Sequence, residues 1–425
     1  MGESFHLPDA NEKTLPLPHS SKISIFTHMD SRLSPVEYLL ISLCRLSFTG
    51  DQVLRIKELV RQVPFWPELT DLINEHGISA LIYSNLKDLG LLDQVPRLQR
   101  GVLKQSHLIS LTRNTYLLDR FTEAAALLAK EDISPVVMKG LAMELTVYGN
   151  AGLRQMTDID VMIDRERCMH TRRVLLSKGF RSAPLKSPLY AFILQWYGKH
   201  LPSLYKDDLS LEIHHNLFNW DIDLNRWFIS ESSTILINNV KLRIPPLNLH
   251  FLYLVKHLDY HEGNGESQLR LYTDLYLLAD RYREELINDE LFLLARKARI
   301  EYTLYAKLTL LKHFWGLVFI DVPKPGNWNK VLKEFLHFLN NPKGNPVSNK
   351  PESYREVIKN IPGFHRKLIF MLGDLFPSMT FMKQRYKTRN RLFTIFYYPH
   401  RLGKLVYLLK GPNYNSDSNT EIKHP

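Results

Sequence analysis

Apolar positions recur every three to four residues through roughly the first 130 residues, the period of a helix with one buried stripe. The chain begins with a polar stretch, 1–33, that predicts a flexible tail. Ser34-Pro35-Val36-Glu37 then combines an N-cap serine, a proline at the first helical position and a capping-box glutamate. The apolar run from there through Leu46 predicts a first helix. Further helices are predicted near 51–62, 67–75 and 78–89, with Gly77 and Gly90 placed as stops, and a long one over 105–130.

The pattern changes at Ile133-Ser134-Pro135-Val136-Val137-Met138, which predicts a short buried strand ending at Lys139-Gly140. Leu141 to Tyr148 reads as a helix broken at Gly149-Asn150. The run 158–163, rich in β-branched and apolar residues, predicts a second strand. Asp164 is placed to cap a helix from Arg165 to Ser177, which Gly179 ends. Strands are predicted at 201–205 and 209–215, joined by Asp207-Asp208, and a hairpin at 234–237 and 240–244 turns at Asn238-Asn239. From Leu247 to about 340 the helical period returns, and 341–352 reads as a loop. The predicted divisions are therefore 1–33, 34–131, 132–246, 247–340 and 341–425, with an α+β core between helical parts and a disordered end.

Composition narrows the class. A 425-residue chain with 44% hydrophobic and 23% charged residues is that of a folded protein of two or three subdomains. Only Cys44 and Cys168 occur, which argues against a disulfide framework or a cysteine metal site and for a reducing compartment. Met1 to Asp30 lacks the apolar core of a secretory signal, and no apolar run of about 18 residues occurs. A cytoplasmic location is expected. The net charge of +11 is concentrated: from His365 to Lys410 there are ten Lys/Arg and one acid, Asp374, for +9 in that segment.

The candidate chemistry lies in Thr157-Asp158-Ile159-Asp160-Val161-Met162-Ile163-Asp164. Alternate residues of a strand share a face, so Asp158 and Asp160 point the same way. Two facing carboxylates repel unless a cation relieves them, and a hard divalent ion such as Mg²⁺ takes oxygen ligands while leaving room for phosphates. Without that ion, neutralising one carboxylate, as in Asp160→Asn, is expected to leave stability equal or higher. Glu212, in Ser210-Leu211-Glu212-Ile213-His214, lies where a neighbouring strand supplies a third carboxylate. His214 shares its face and His215 does not. His257 and Asp274 read as helix-packing or capping residues.

Lys139-Gly140, Arg154 before Asp158-Ile159-Asp160, Gly179-Phe180 and Glu212-Ile213-His214 together resemble the uncharacterised nucleotidyltransferase-like family of the DNA polymerase β superfamily. The likeness covers roughly 35–320 and is strongest over 133–182. It implies a small mixed-sheet nucleotidyltransferase core and transfer of an NMP group from an NTP to a hydroxyl acceptor: a small molecule, a sugar or a tRNA. It further implies Asp158, Asp160 and Glu212 as catalytic, metal-holding carboxylates for Mg²⁺ or Mn²⁺. Lys139, Gly140 and Arg154 are the implied nucleotide contacts, with the backbone N–H groups of the following helix. The sequence departs from better-known members of the superfamily, with Lys-Gly where they carry Gly-Ser and Glu212 where Asp is usual. The alternative is a catalytically degenerate interaction module. For either reading, the cations and aromatic residues of 383–410 suit a tRNA or an anionic membrane surface to which the protein attaches peripherally.

Overall fold

The computed structural model describes residues 32–183, 185–218, 221–317, 322–343, 361, 363–388, 390–401 and 403. Most of the expected tail at 1–33, most of the expected loop at 341–352 and the expected disordered end lie outside the described residues.

Helices α1 to α5 span Pro35–Leu43, Gly50–Arg61, Trp66–Glu75, Ser79–Asp88 and Arg97–Ala129. The capping box of α1 forms as its sequence requires: Glu37 N donates to Ser34 Oγ at 3.3 Å, and Ser34 N donates back to Glu37 Oε2 at 2.6 Å. A second box, Thr49 with Gln52, starts α2. Gly77 and Gly90 take φ +68° and +67°, the left-handed stops that a side chain would disfavour.

Seven strands form one mixed sheet in the order β3-β4-β5-β2-β1-β7-β6. They are β1 Val136–Val137, β2 Ile159–Met162, β3 Arg181–Ser182, β4 Leu204–Lys206, β5 Leu209–His214, β6 Ser233–Ile237 and β7 Val240–Ile244. The two central pairings that matter are β2 with β1, antiparallel, and β2 with β5, parallel. Both expected turns carry left-handed residues: Asp207 and Asp208 at φ +48° and +63°, Asn238 and Asn239 at +49° and +62°. The strand expected from 133 to 138 forms a ladder only at Val136–Val137. Pro135, just before it, has no N–H to give a ladder.

Between the strands lie α6 Lys139–Met143, α7 Arg165–Ser177, α8 Pro188–Tyr197 and α9 Ile222–Ser230. α6 widens into a π turn, Glu144–Tyr148, closed by Gly149 at φ +63°, whose N–H reaches Glu144 O at 2.9 Å. α7 matches its expected span. Asp164 does occupy its N-cap position, but its side chain makes no capping bond, so that expected role is corrected. Helices α10 Leu247–Gly263, α11 Leu269–Arg281, α12 Arg283–Leu286, α13 Asp289–Lys297, α14 Glu301–Trp315 and α15 Trp328–Asn340 follow.

The central strands β1 and β2 are buried on both faces, and strand parity divides the core residues between two clusters. Ile159, Val161, Ile163, Leu209, Leu211 and Ile213 pack with Leu117, Phe121 and Leu128 of α5 and Leu175 of α7. Val136, Met138 and Met162 face the other way, into a larger core that unites α1–α4 with α10–α15. The architecture is α+β, as expected. The functional side chains sit on the face turned toward this helical core.

Candidate active site

The β2–β5 register fixes the centre of the site. Asp160 pairs with Glu212 and Met162 with His214, so parity puts Asp160, Glu212 and His214 on one face of adjacent strands. His214 Nε2 lies 2.7 Å from Asp160 Oδ1 and 3.5 Å from Glu212 Oε2. Among the described residues, Asp160, Glu212 and His214 form a set of potential ligands whose donor atoms lie within 4.8 Å of one another. Ser203 Oγ, from the start of the β4 hairpin, donates to Glu212 Oε1 at 3.1 Å and orients it.

Lys139 supplies the positive charge. It sits between β1 and the rest of α6 at φ +45°, a left-handed conformation that costs a residue with a Cβ about 1–3 kcal/mol. The turn brings its ammonium to Asp160 Oδ1 at 2.6 Å, with both side chains largely buried. Burial alone would raise the Asp160 carboxyl. Lys139 and the His214 hydrogen bond outweigh it and hold the group well below the usual carboxylate range. Glu212 is likewise held low, burial being outweighed chiefly by its bond with His214.

Asp158 lies just before β2, half-buried, and accepts from Thr157 Oγ1 at 3.1 Å. Its carboxyl is pushed up, first by burial and then by the negative charges of Asp160 and Glu212. It therefore feels both other carboxylates and stands at the edge of the three-residue set. Lys139 bonds Asp160 directly, and its charge also reaches Asp158 and Glu212.

Arg154 is placed differently from the expected nucleotide contact. Its guanidinium forks onto Asp274 of α11, with Nε at 2.9 Å from Oδ1 and Nη2 at 2.6 Å from Oδ2, and both residues are buried. Tyr148 OH adds a bond to Asp274 Oδ1 at 2.9 Å. Here Arg154 braces the loop before the aspartates, with Asp274 as its anchor. Two more arginines hold the same loop by its carbonyls: Arg113 at Met156 O and Thr157 O, and Arg270 at Gln155 O. The short α6, five residues before its π turn, adds only a weak helix dipole behind Lys139.

Gly140 is explained by the Arg154 brace. A Cβ there would meet Arg154 Nη1 at 2.5 Å and Met156 Sδ at 2.9 Å. Gly140→Ala is expected to lower stability by about 1–3 kcal/mol, as overpacking does. Urea unfolding of the two proteins measures it; an unchanged midpoint would show that the brace yields freely.

Sequence reasoning did not find Tyr253, His200 or Ser203 near the site. Tyr253 of α10 packs its ring 6.5 Å from that of His214, and burial pushes its hydroxyl up to about 12. His200 lies against the other side of His214, ring to ring at 5.2 Å. His257, one turn along from Tyr253, stacks on it and faces His261 at 4.6 Å. Burial, then the charge of Lys139, keeps His257 neutral well below the ordinary histidine range. The i, i+4, i+8 spacing of Tyr253, His257 and His261 was the available signal.

No curated protein matches the chain. Among solved structures, the chain is similar to an antigenic nucleotidyltransferase-like protein from Paracoccidioides brasiliensis, at 16% identity over 48% of this chain and 94% of that one. The TM-score is 0.31, too low for the likeness to bear on the site. The family described as uncharacterised nucleotidyltransferase matches residues 64–316, which is more than half of the chain and contains every site residue described above. The chain belongs to this uncharacterised nucleotidyltransferase family.

Proposed function

We propose that the protein is a divalent-metal-dependent nucleotidyltransferase that moves an NMP group from an NTP to a hydroxyl acceptor. The observation that carries this reading is the Asp160–Glu212 pairing across β2 and β5, with His214 between the two carboxylates. The residues fit a cation: three donor groups converge within 4.8 Å, and Asp158 beside them is destabilised as an anion by its neighbours. Asp160, Glu212 and His214 would hold the ion, with Asp158 completing the acidic rim. Lys139 would turn from Asp160 to the triphosphate oxygens. Gly140 lets the Lys139 turn lie flat against Arg154, which keeps the loop before Asp158 in place.

A divalent ion bound there supplies charge neutralisation on the triphosphate and lowers the pKa of the acceptor hydroxyl. In the transfer, the acceptor oxygen bonds to the α-phosphorus in line with the leaving group. The bond from that phosphorus to the bridging oxygen breaks, pyrophosphate departs with the electron pair, and the hydroxyl proton passes to a carboxylate of the cluster.

The nitrogen donor favours the second of the two expected ions. An O, O, N set suits Mn²⁺ better than Mg²⁺, which takes oxygen ligands and water. The full-length chain is expected to bind Mn²⁺ at least about 10-fold more tightly than Mg²⁺, and His214→Ala to lose about 10- to 100-fold of the Mn²⁺ affinity. Electron paramagnetic resonance titration of Mn²⁺, with Mg²⁺ as the EPR-silent competitor, reads both. Incubation with α-labelled NTPs and cell extract tests the transfer itself. Label on a metabolite or on tRNA supports the reading and names the acceptor class. Failure to bind either metal, with or without NTP, and absence of labelled product would leave the interaction module as the better account.

A further inference from the structure

Among the described residues, 361–401 pack against α8 and are held there by the one acid of that stretch, Asp374. Helix Phe364–Leu375 packs on α8, and Asp374 is buried between Lys186 and Arg401, with Arg401 Nη2 at 3.1 Å. Ser378 N donates to Lys186 O at 2.6 Å. Residues 361–401 carry eight Lys/Arg and no acid besides Asp374. With Asp374 neutralised internally, the segment presents charge of one sign.

Its apolar residues are sorted in an unusual way. The tyrosines turn inward: Tyr386 stacks on Tyr397 at 4.2 Å between centroids, and Tyr398 OH reaches Pro377 O at 2.7 Å. Phe370 and Met382 are buried, but a run of apolar side chains near residue 391 turns outward. Leu392, Phe393, Ile395 and Phe396 on and just after helix Arg391–Ile395 are 69%, 65%, 51% and 75% exposed. Spacings of three and four residues make 392, 395 and 396, and 393 with 396, neighbours on the helix surface. Phe393, Phe396 and Tyr397 also line an open concavity with Thr388 and Asn390. Phe364 and Phe376, in the same basic segment, are exposed as well. A contiguous apolar patch of this kind, in a segment whose charge is of one sign, marks a contact surface.

We infer that this patch seats on an anionic lipid surface, with Leu392, Phe393, Ile395 and Phe396 entering the headgroup–acyl boundary and the cations of the segment meeting lipid phosphates. The charge selects an anionic partner. The aliphatic members favour lipid over nucleic acid, because Leu392 and Ile395, set among the exposed Phe393 and Phe396 rings, offer no face for base stacking. The inference is independent of the transfer chemistry. Among the described residues no helix is long and apolar enough to cross a membrane, so the contact is peripheral.

The test is co-sedimentation of the full-length chain with vesicles of phosphatidylcholine alone or with about 30% phosphatidylserine, at low and high salt. Binding to the anionic vesicles is expected to be at least about 10-fold tighter than to the neutral ones, and to weaken similarly at high salt. The double variant Leu392→Ser/Phe396→Ser is expected to bind anionic vesicles at least about 10-fold more weakly with an unchanged melting temperature, since both side chains are solvent-exposed. Absence of binding to anionic vesicles overturns the inference. So does equal binding by the variant, or tighter binding of a single-stranded RNA that displaces the vesicles.

Discussion

Asp160→Asn is expected to abolish divalent-metal binding and to lower the stability of the protein by about 3–5 kcal/mol, the range for leaving one partner of a buried ion pair uncompensated. The substitution keeps the side-chain shape but removes the charge that faces Lys139 at 2.6 Å and His214 at 2.7 Å. Both partners are buried, so water cannot replace the carboxylate well. Urea unfolding at neutral pH measures the loss, and Mn²⁺ titration measures the metal. An equal or higher midpoint for the variant would mean that the Lys139–Asp160 pair contributes nothing.

The pH dependence follows from the sign of the shift. The folded carboxyl of Asp160 lies below its unfolded value of about 3.9. Its stabilising contribution is therefore complete above the unfolded value and is lost as pH falls toward the folded one. The gap between wild type and Asp160→Asn should be full at pH 7 and narrow below about pH 4.

Asp274→Ala should cost a similar amount, about 3–5 kcal/mol, without touching the metal ligands. It strips the Arg154 guanidinium of three bonds and Tyr148 of one, all in a buried setting. Arg154→Lys is not a mild change, because an ammonium cannot fork across both carboxylate oxygens. The double variant Arg154→Met/Asp274→Leu should recover most of the loss, since it removes both charges together. Chemical denaturation of Arg154→Met, Asp274→Leu and the double variant forms the cycle; simple addition of their effects would sink the claim that the two act as a pair.

The parts of the site legible in the sequence were those set by local period. Alternation alone put Asp158 with Asp160 and Glu212 with His214, and the β2–β5 register then brought two of those positions side by side. The Asp-Asp and Asn-Asn turns were legible because left-handed pairs of these residues suit two-residue hairpins. What was missed depends on distance along the chain. Arg154 and Asp274 are 120 residues apart, and no spacing rule joins them. The sign expected for Asp160→Asn reversed for the same reason: two carboxylates were visible in one strand, but the lysine that pairs with one of them comes from another turn. Helix α8 was hidden because Pro-Leu-Tyr-Ala-Phe-Ile-Leu-Gln-Trp-Tyr is apolar almost throughout and shows no stripe. α9 was passed over although Asp221 caps it, its side chain accepting from Leu224 N at 2.9 Å.

Helix α5 has one more consequence. Its Leu103 belongs to the core of the helical layers, and its Leu117, Phe121, Ala124, Ala125 and Leu128 belong to the core beneath the sheet. At 1.5 Å per residue its 33 residues run about 50 Å, a single rod embedded in both interiors. Excising the sheet from its neighbours would strip one face of its covering side chains, and excising the helices would leave the rod half naked. The sheet together with the helices on either side of it in sequence is thus expected to be the smallest piece that stays intact when expressed alone.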